Sequence, residues 1–378
     1  TARSEADLAN RSAFASGTGA GKQINSRIHA TNAVSENALN DAEEEFDSPE
    51  TIAAIAAAIT ALGHEVELLG DGRSLVERLL AGDLPDMVFN IAEGRGIGRS
   101  REAWVPAMLE MFGIPYSGSD PLTLAATLDK HCAKQLVAQA GICVPAGVLV
   151  DGSIGKFTDQ LATLQMPLIV KPAFEGSSKG ISSVSVIDHF DQLTDAIESC
   201  RSMYRQPVLV EEFIAGDELT VGLIGNQTPA VIGVMRVVPR NAQERFVYSL
   251  DVKRDWRRQV LYEAPAQLTA IDEEAVRHAA VVAFGALGCR DVARIDFRLR
   301  NGVPYFLEAN PLSGLTPGSS DLVLLAEGMG IEYGELIARI VAAAIERHRV
   351  TDQFADRSGS NGAIEAELIA TSIRSVDD

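Results

Sequence analysis

The chain has few cysteines: of its 378 residues only Cys132, Cys143, Cys200 and Cys289 carry a thiol, all far apart and none in a C-x-x-C pair. That pattern argues against a disulfide framework or a cysteine zinc site and predicts a reducing compartment, the cytoplasm. No apolar stretch approaches the roughly 20 residues a membrane helix needs. The first residues also lack the basic-then-apolar order of a signal peptide. The longest apolar run, Ile52 to Leu62, is alanine-rich and stops at Gly63, which predicts a buried amphipathic helix with a glycine C-cap. Positive charge is scarce as well. With 33 Lys and Arg against 52 Asp and Glu, the formal net charge is -19, and no basic stripe offers itself to nucleic acid or an anionic membrane.

What is present is an ordinary globular composition, 46% hydrophobic and 22% charged, on a chain long enough for two or three domains. Its most informative segment is Ala293-Arg294-Ile295-Asp296-Phe297-Arg298, followed after a turn by Phe306-Leu307-Glu308-Ala309-Asn310-Pro311. Two alternating strands joined at Asn301-Gly302 put Arg294, Asp296, Glu308 and Asn310 on one face. Two carboxylates, a carboxamide and an arginine on a sheet face flanked by apolar residues call for a partner. A divalent cation with a phosphate-bearing ligand fits, because magnesium prefers hard oxygen ligands and an arginine steadies an anion.

Residues 1–40, rich in Ala, Ser, Asn and Thr, show no helix or strand period and are expected to be a poorly ordered extension. Within them Ser16-Gly17-Thr18-Gly19-Ala20-Gly21-Lys22-Gln23 imitates a phosphate loop but fails the pattern: Ser16 stands where the first glycine belongs, Gln23 replaces the hydroxyl, and no strand precedes it. From Ser48-Pro49 the pattern predicts helix, strand (64–69), helix (74–80) and strand (87–91), an α/β layer with parallel strands. A glycine- and arginine-rich loop, Glu93 to Glu102, follows the last strand, where ligands bind in open α/β sheets. Next come helices at 104–112 and 122–140, a buried strand ending Val170-Lys171-Pro172, and the small-residue loop Glu175-Gly176-Ser177-Ser178-Lys179-Gly180 leading into a strand at 183–186. A helix at 190–201, a hairpin of strands 208–212 and 218–224, a helix at 273–287 and a last helix at 333–347 complete the expectation.

Lys171 facing that loop supplies a charge, hydroxyls and closely approachable N–H groups, the needs of a triphosphate. Glu211, Phe213, Ile214 and Glu218, on the strand-turn-strand from Val208, offer apolar walls and acceptors for an adenine and a ribose. Together Lys171 with Glu-Gly-Ser-Ser-x-Gly, Glu-Glu-Phe-Ile-x-Gly-x-Glu, Arg-Ile-Asp-Phe and Leu-Glu-Ala-Asn-Pro resemble the ATP-grasp carboxylate-amine ligases. Leu128-Asp129-Lys130, Gly113-Ile114-Pro115-Tyr116-Ser117-Gly118-Ser119 and Asn310-Pro311-Leu312-Ser313-Gly314-Leu315-Thr316-Pro317 narrow the resemblance to the D-alanine-D-alanine ligases, over about residues 43 to 350.

The resemblance implies a mixed α/β and α+β architecture, an ATP-grasp fold with an N-terminal α/β domain: an extension (1–40), a substrate domain (41–120), two ATP-grasp subdomains (121–205 and 206–350) and a polar tail (351–378). It implies ATP and two Mg2+ or Mn2+ ions on Asp296, Glu308 and Asn310, with Arg294 and the Gly314 amide at the oxyanion. Lys130 and Lys171 would contact phosphates under Ser177 or Ser178, Ser319 or Ser320 would lie near a substrate carboxylate, and Glu44 or Glu45 would receive the first substrate's ammonium. Lys253 would belong to a mobile loop closing the site. The implied reaction joins two D-alanines through an acylphosphate, for peptidoglycan, in a cytoplasmic homodimer with no nucleic-acid or membrane partner. Alternatives are a ligase of other amino acids, a D-alanine-D-lactate type ligase, and an inactive nucleotide-binding relative. Three features depart from the family pattern: Arg254 stands where a tyrosine usually follows the loop lysine, the loop at 93–102 is arginine-rich, and residues 1–40 contain no opening hydrophobic strand.

Overall fold

The computed structural model describes residues 46–70, 72–82, 84–241 and 245–359. Residues 1–40, the Ser16–Gln23 segment, Glu44 and Glu45 lie outside the described residues. Ser48 caps the first helix, α1 (Pro49–Ala61), its hydroxyl accepting the Thr51 N–H at 3.2 Å with Pro49 in the first turn. Helices α2 (Gly72–Ala81) and α3 (Trp104–Met111) bury Leu75, Leu79 and Leu109 against Ile114 and Tyr116. The strands expected at 64–69 and 87–91 do not form a sheet; the only pairing there among the described residues is a parallel bridge between Val88 and Tyr116. An apolar segment becomes a strand only when a neighbour satisfies its backbone. Both segments instead line a cavity of about 1460 Å3, together with Ile55, Leu75, Phe89 and Val105.

The helix expected across 122–140 is two, α4 (Pro121–Leu128) and α5 (Lys130–Gln139). Asp129 leaves the helical region (φ -81°, ψ 96°), and its carboxylate caps the N–H groups of His131 and Cys132. There follow β1 (Gly147–Val150), α6 (Thr158–Leu161), β2 (Leu168–Pro172), β3 (Val186–Ile187), α7 (Leu193–Tyr204) and β4 (Val208–Glu212). They build an antiparallel sheet of order β1-β4-β2-β3 over a core that includes Val150, Leu168, Val170, Ile197 and Val210. Where a strand is expected at 183–186, Ser182 and Ser185 close a capping box around a 3-10 turn, which leaves β3 only two residues.

A second sheet of order β7-β6-β5-β8-β9 uses β5 (Asp217–Gly225) and β6 (Ala230–Pro239), then, after the short helices α8 (Leu250–Arg254) and α9 (Trp256–Gln259), β7 (Val260–Glu263). Helix α10 (Ala270–Leu287) precedes β8 (Asp291–Arg300) and β9 (Val303–Asn310), and α11 (Asp321–Gly328) and α12 (Tyr333–Gly359) follow. β4 and β5 are therefore not the hairpin the sequence suggests. β4 pairs with β1 and β2, whereas β5 pairs with β6 and β8. At the crossing Gly216 (φ 151°) lies so close to β8 that a Cβ would come within 2.0 Å of the Leu299 carbonyl oxygen. α12 continues past residue 350, where a loose tail is expected, because after Gly334 in its first turn no proline or glycine interrupts it before Gly359. Among the described residues no helix is long and apolar enough to cross a membrane.

Candidate active site

The β8–β9 hairpin turns at Asn301 and Gly302, both at positive φ (54° and 76°), the conformation a tight hairpin turn demands. Its register sets Arg294 opposite Asn310 and Asp296 opposite Glu308, with a bulge before Phe297 pairs with Phe306. The bulge keeps Phe297 and Phe306 buried on the other face, ring centroids 6.1 Å apart, while the four polar residues stay together. Asp296 accepts the Thr220 hydroxyl at 2.9 Å, Arg294 Nη2 at 2.9 Å and Asn310 Nδ2 at 3.3 Å. Burial, and Glu308 nearby, raise the Asp296 carboxyl pKa against the pull of Arg294. Burial also works to raise that of Glu308, yet Lys130, Lys253 and Arg294 hold it well below the usual carboxylate range.

Cations from α5, which packs on the second sheet, and from β2 of the first meet near this face. Lys130, the first residue of α5, reaches Glu308 at 2.7 Å and donates to the Glu175 carbonyl at 2.5 Å. Lys171, near the end of β2, pairs with Glu211 at 2.5 Å. Lys134, absent from the sequence candidates, lies one helical turn after Lys130, so the i, i+4 spacing was the signal that would have found it. It donates to the Leu307 carbonyl at 2.5 Å and lies 3.3 Å from Glu211. Burial among Lys171 and Lys130 pushes its pKa down to about 7, with Glu211 opposing.

Residues 173–181 pack as a tight loop. Ser177 and Ser178 both take positive φ (49° and 60°), a strain of the kind that gathers where a ligand is gripped. Buried Glu175 holds the loop from inside, with Lys179 at 2.7 Å and Gln206 Nε2 at 2.7 Å. The Ser178 hydroxyl donates to the Tyr248 carbonyl at 3.0 Å, so the small-residue loop is tied to the segment that carries Lys253 even with Arg254 in the tyrosine's place. In the arginine-rich loop, buried Arg101 donates to the Phe174 carbonyl at 2.7 Å and Arg99 pairs with Asp129 at 2.8 Å. These two arginines hold the loop against its neighbours.

Of the residues read as an adenine and ribose site, Glu211 is committed to two lysines, Phe213 lies under the Arg298 guanidinium at 5.2 Å, and Glu218 pairs with Arg298 at 2.5 Å. Phe213 and Ile214 are buried. Ser320 accepts the Thr316 N–H at 2.9 Å, and Ser319 and Gly314 are exposed. The side chain that meets Arg294 from this stretch is Asp321, whose carboxylate accepts Arg294 Nη1 at 3.0 Å. An aspartate at a helix start reads in sequence as a terminal-turn residue, and nothing local marks it for the site.

Among the described residues no three His, Cys, Asp or Glu converge as a self-sufficient metal site. The set Asp296, Glu308 and Asn310 offers hard oxygens but few of them, which fits magnesium that keeps waters and shares phosphate oxygens better than it fits a closed protein cage.

The family model described as "D-ala D-ala ligase C-terminus" matches residues 137–342. An uncharacterized protein, y4sG of Sinorhizobium fredii, is 34% identical over 302 residues, 78% of this chain and 87% of that protein. A D-alanine–D-alanine ligase of Cupriavidus taiwanensis is 32% identical over 292 residues, 77% of this chain and 85% of its own length. Among solved structures, the D-alanine–D-alanine ligase of Bacillus anthracis complexed with ATP superposes with a TM-score of 0.63 at 25% identity, covering 81% of this chain and 97% of that one. The VanG D-Ala:D-Ser ligase of Enterococcus faecalis gives 0.57 at 27% identity, covering 68% and 73%. With its hairpin of metal-type oxygens, its lysines opposite and these relatives, the chain belongs to the D-alanine–D-alanine ligase family.

Proposed function

We propose that the protein joins two D-alanines at the expense of ATP, supplying D-alanyl-D-alanine for peptidoglycan. The observation that carries the proposal is that Lys130 joins the two sheets at one point: its Nζ donates to the Glu175 carbonyl in the loop after β2 at 2.5 Å and lies 2.7 Å from Glu308 of the second sheet. A triphosphate laid between them finds lysine charge on one wall and metal-type oxygens on the other.

In this reading Asp296, Glu308 and Asn310 hold two Mg2+ or Mn2+ ions, which supply charge neutralisation for the transferring phosphoryl group. Lys130 and Lys171 steady the phosphates, with Ser177 and Ser178 over them. Ile214 and Phe213 wall the base, and Glu211 and Glu218 border the nucleoside. Arg294 stabilises the oxyanion formed when the acceptor amine attacks the acylphosphate; its Nε is buried and donates to nothing among the described residues, a spare donor at the point of developing charge. The Gly314 amide joins it, Ser319 or Ser320 borders the acceptor, and Lys253 closes the segment above and keeps water from the acylphosphate. Glu44 would receive the donor's ammonium. The same reading gives residues 41–120 to substrate, 121–205 and 206–350 to the two ATP-grasp subdomains, a cytoplasmic site of action, and a homodimer that light scattering would reveal. Phosphate release with D-alanine, L-alanine, D-serine and D-lactate tests the activity: ATP turnover with D-alanine and a dipeptide product is expected, and no phosphate with D-alanine would overturn the proposal.

A further inference from the structure

Asp321 takes three donors from two separate parts of the chain. Arg294 Nη1 of β8 lies 3.0 Å from its Oδ2, the Tyr248 hydroxyl 2.8 Å from its Oδ1, and Lys253 Nζ of α8 3.5 Å from Oδ2. The Tyr248 hydroxyl also meets that of Tyr262 at 2.5 Å, and Lys253 lies 4.8 Å from the centre of the Tyr248 ring. The carboxylate is nearly enclosed, its side chain 7% exposed.

Arg294 is thus gripped from two sides, by Asp296 on Nη2 and by Asp321 on Nη1. Asp296 also belongs to the metal-type set, so its oxygens are shared with whatever that set binds. Asp321 has no such second duty and is the steadier anchor of the guanidinium. Tyr248 and Lys253 belong to one segment, 245–259, whose Tyr248 carbonyl also accepts the Ser178 hydroxyl of the small-residue loop, and both end on this same carboxylate. A fixed anion that holds Arg294 on one side and this segment on the other links the position of each to the other.

We propose that Asp321 is a positioning residue that couples closure of the 245–259 segment to the aim of Arg294. For its chemical readout this rests on the acylphosphate reaction proposed above. When the segment is loose, water attacks the acyl carbon, the bond from that carbon to the phosphate oxygen breaks, and the amino acid and phosphate are released without peptide. When it is latched, only the acceptor amine reaches that carbon.

The test compares wild type with Asp321→Asn, which keeps the size and loses the charge, and with Tyr248→Phe, which keeps the ring and loses one donor. With ATP, Mg2+ and D-alanine, Asp321→Asn is expected to lower kcat by about 100-fold, the scale of losing a preorganised oxyanion contact. Phosphate should rise from parity with peptide to a several-fold excess, while the KM for ATP stays within about twofold, since no phosphate contact is lost. Tyr248→Phe should move both in the same direction by less, and it serves if Asp321→Asn fails to fold. A kcat within about threefold of wild type, or phosphate still equal to peptide, overturns the proposal. A second arm needs no turnover: trypsin cleavage after Lys253, Arg254, Arg257 and Arg258 in the presence of Mg2+ and a non-hydrolysable ATP analogue. Protection in wild type that is lost in Asp321→Asn supports the latch, and equal cleavage refutes it. If wild type makes no phosphate from D-alanine yet shows this Asp321-dependent protection, the substrate reading fails and the latch stands.

Discussion

The second sheet and the layer at residues 46–120 were equally well patterned for strands, and only one of them became a sheet. β8 and β9 pair along their length and bury Phe297 and Phe306 completely. The segments at 64–69 and 87–91 are as apolar, yet they share a single bridge and border a cavity of about 1460 Å3. The difference teaches that alternation says which face a residue would take, whereas a ladder exists only where a second backbone arrives to complete it. The layer is nonetheless well attached: Arg347 of α12 donates to Asp291 at 2.7 Å and to the Tyr116 carbonyl at 2.7 Å, and His348 lies 2.9 Å from the same carbonyl. Its connection to the rest runs through helix and loop contacts.

That contrast can be broken or sharpened by measurement. The largest effect is expected at the hairpin: Glu308→Gln should reduce ATP turnover by at least about 100-fold while circular dichroism and thermal unfolding stay near wild type, since charge on that face acts on the reaction more than on folding. Activity within a few-fold of wild type would remove Glu308 from the metal set. Next, Phe306→Ala should cost about 3–5 kcal/mol in denaturant unfolding, because its site is fully packed and leaves a void behind.

A smaller, pH-dependent effect is expected at Lys134. Its folded pKa, near 7, lies below the ordinary lysine value of about 10.4, so between those values the unfolded chain binds a proton that the folded chain does not. Stability relative to Lys134→Met should therefore rise with pH above about 7, by on the order of 1 kcal/mol per pH unit, and level off near pH 10. A difference that stays flat from pH 7 to 9 would mean that the ammonium remains charged against Glu211. Smallest of all, Leu69→Ala at the cavity wall should cost less than about 1 kcal/mol, since a half-buried side chain beside a void loses few contacts. A cost equal to that of Phe306→Ala would show the cavity filled in solution and erase the contrast between the two regions.

Much of this was written locally. Ser48-Pro49 announces α1, Asn301-Gly302 announces the hairpin, and the alternation from Arg294 to Asp296 and from Glu308 to Asn310 places four side chains on one face. These readings need only the two-residue period of a strand and the φ preferences of a few residues. The split of 122–140 at Asp129 was harder, because a helix pattern does not show where a carboxylate will prefer to cap the next turn. The pairing of β4 was hidden for another reason: two strands joined by a four-residue turn usually form a hairpin, and only the approach of Gly216 to Leu299 shows that this turn passes from one sheet to the other.

The sequence by itself determined the chemistry on offer: an acidic hairpin face with an arginine, lysines at a strand end and in the helical stretch 122–140, and a small-residue loop. Only the tertiary structure decided the partners. It brought Lys130 onto Glu308, gave the Leu307 carbonyl to Lys134, and set Asp321, far along the chain, against Arg294. The physical reason is range. Side-chain parity is fixed by the backbone within a few residues, whereas a buried charge takes whichever opposite charge the packing of distant elements delivers to it.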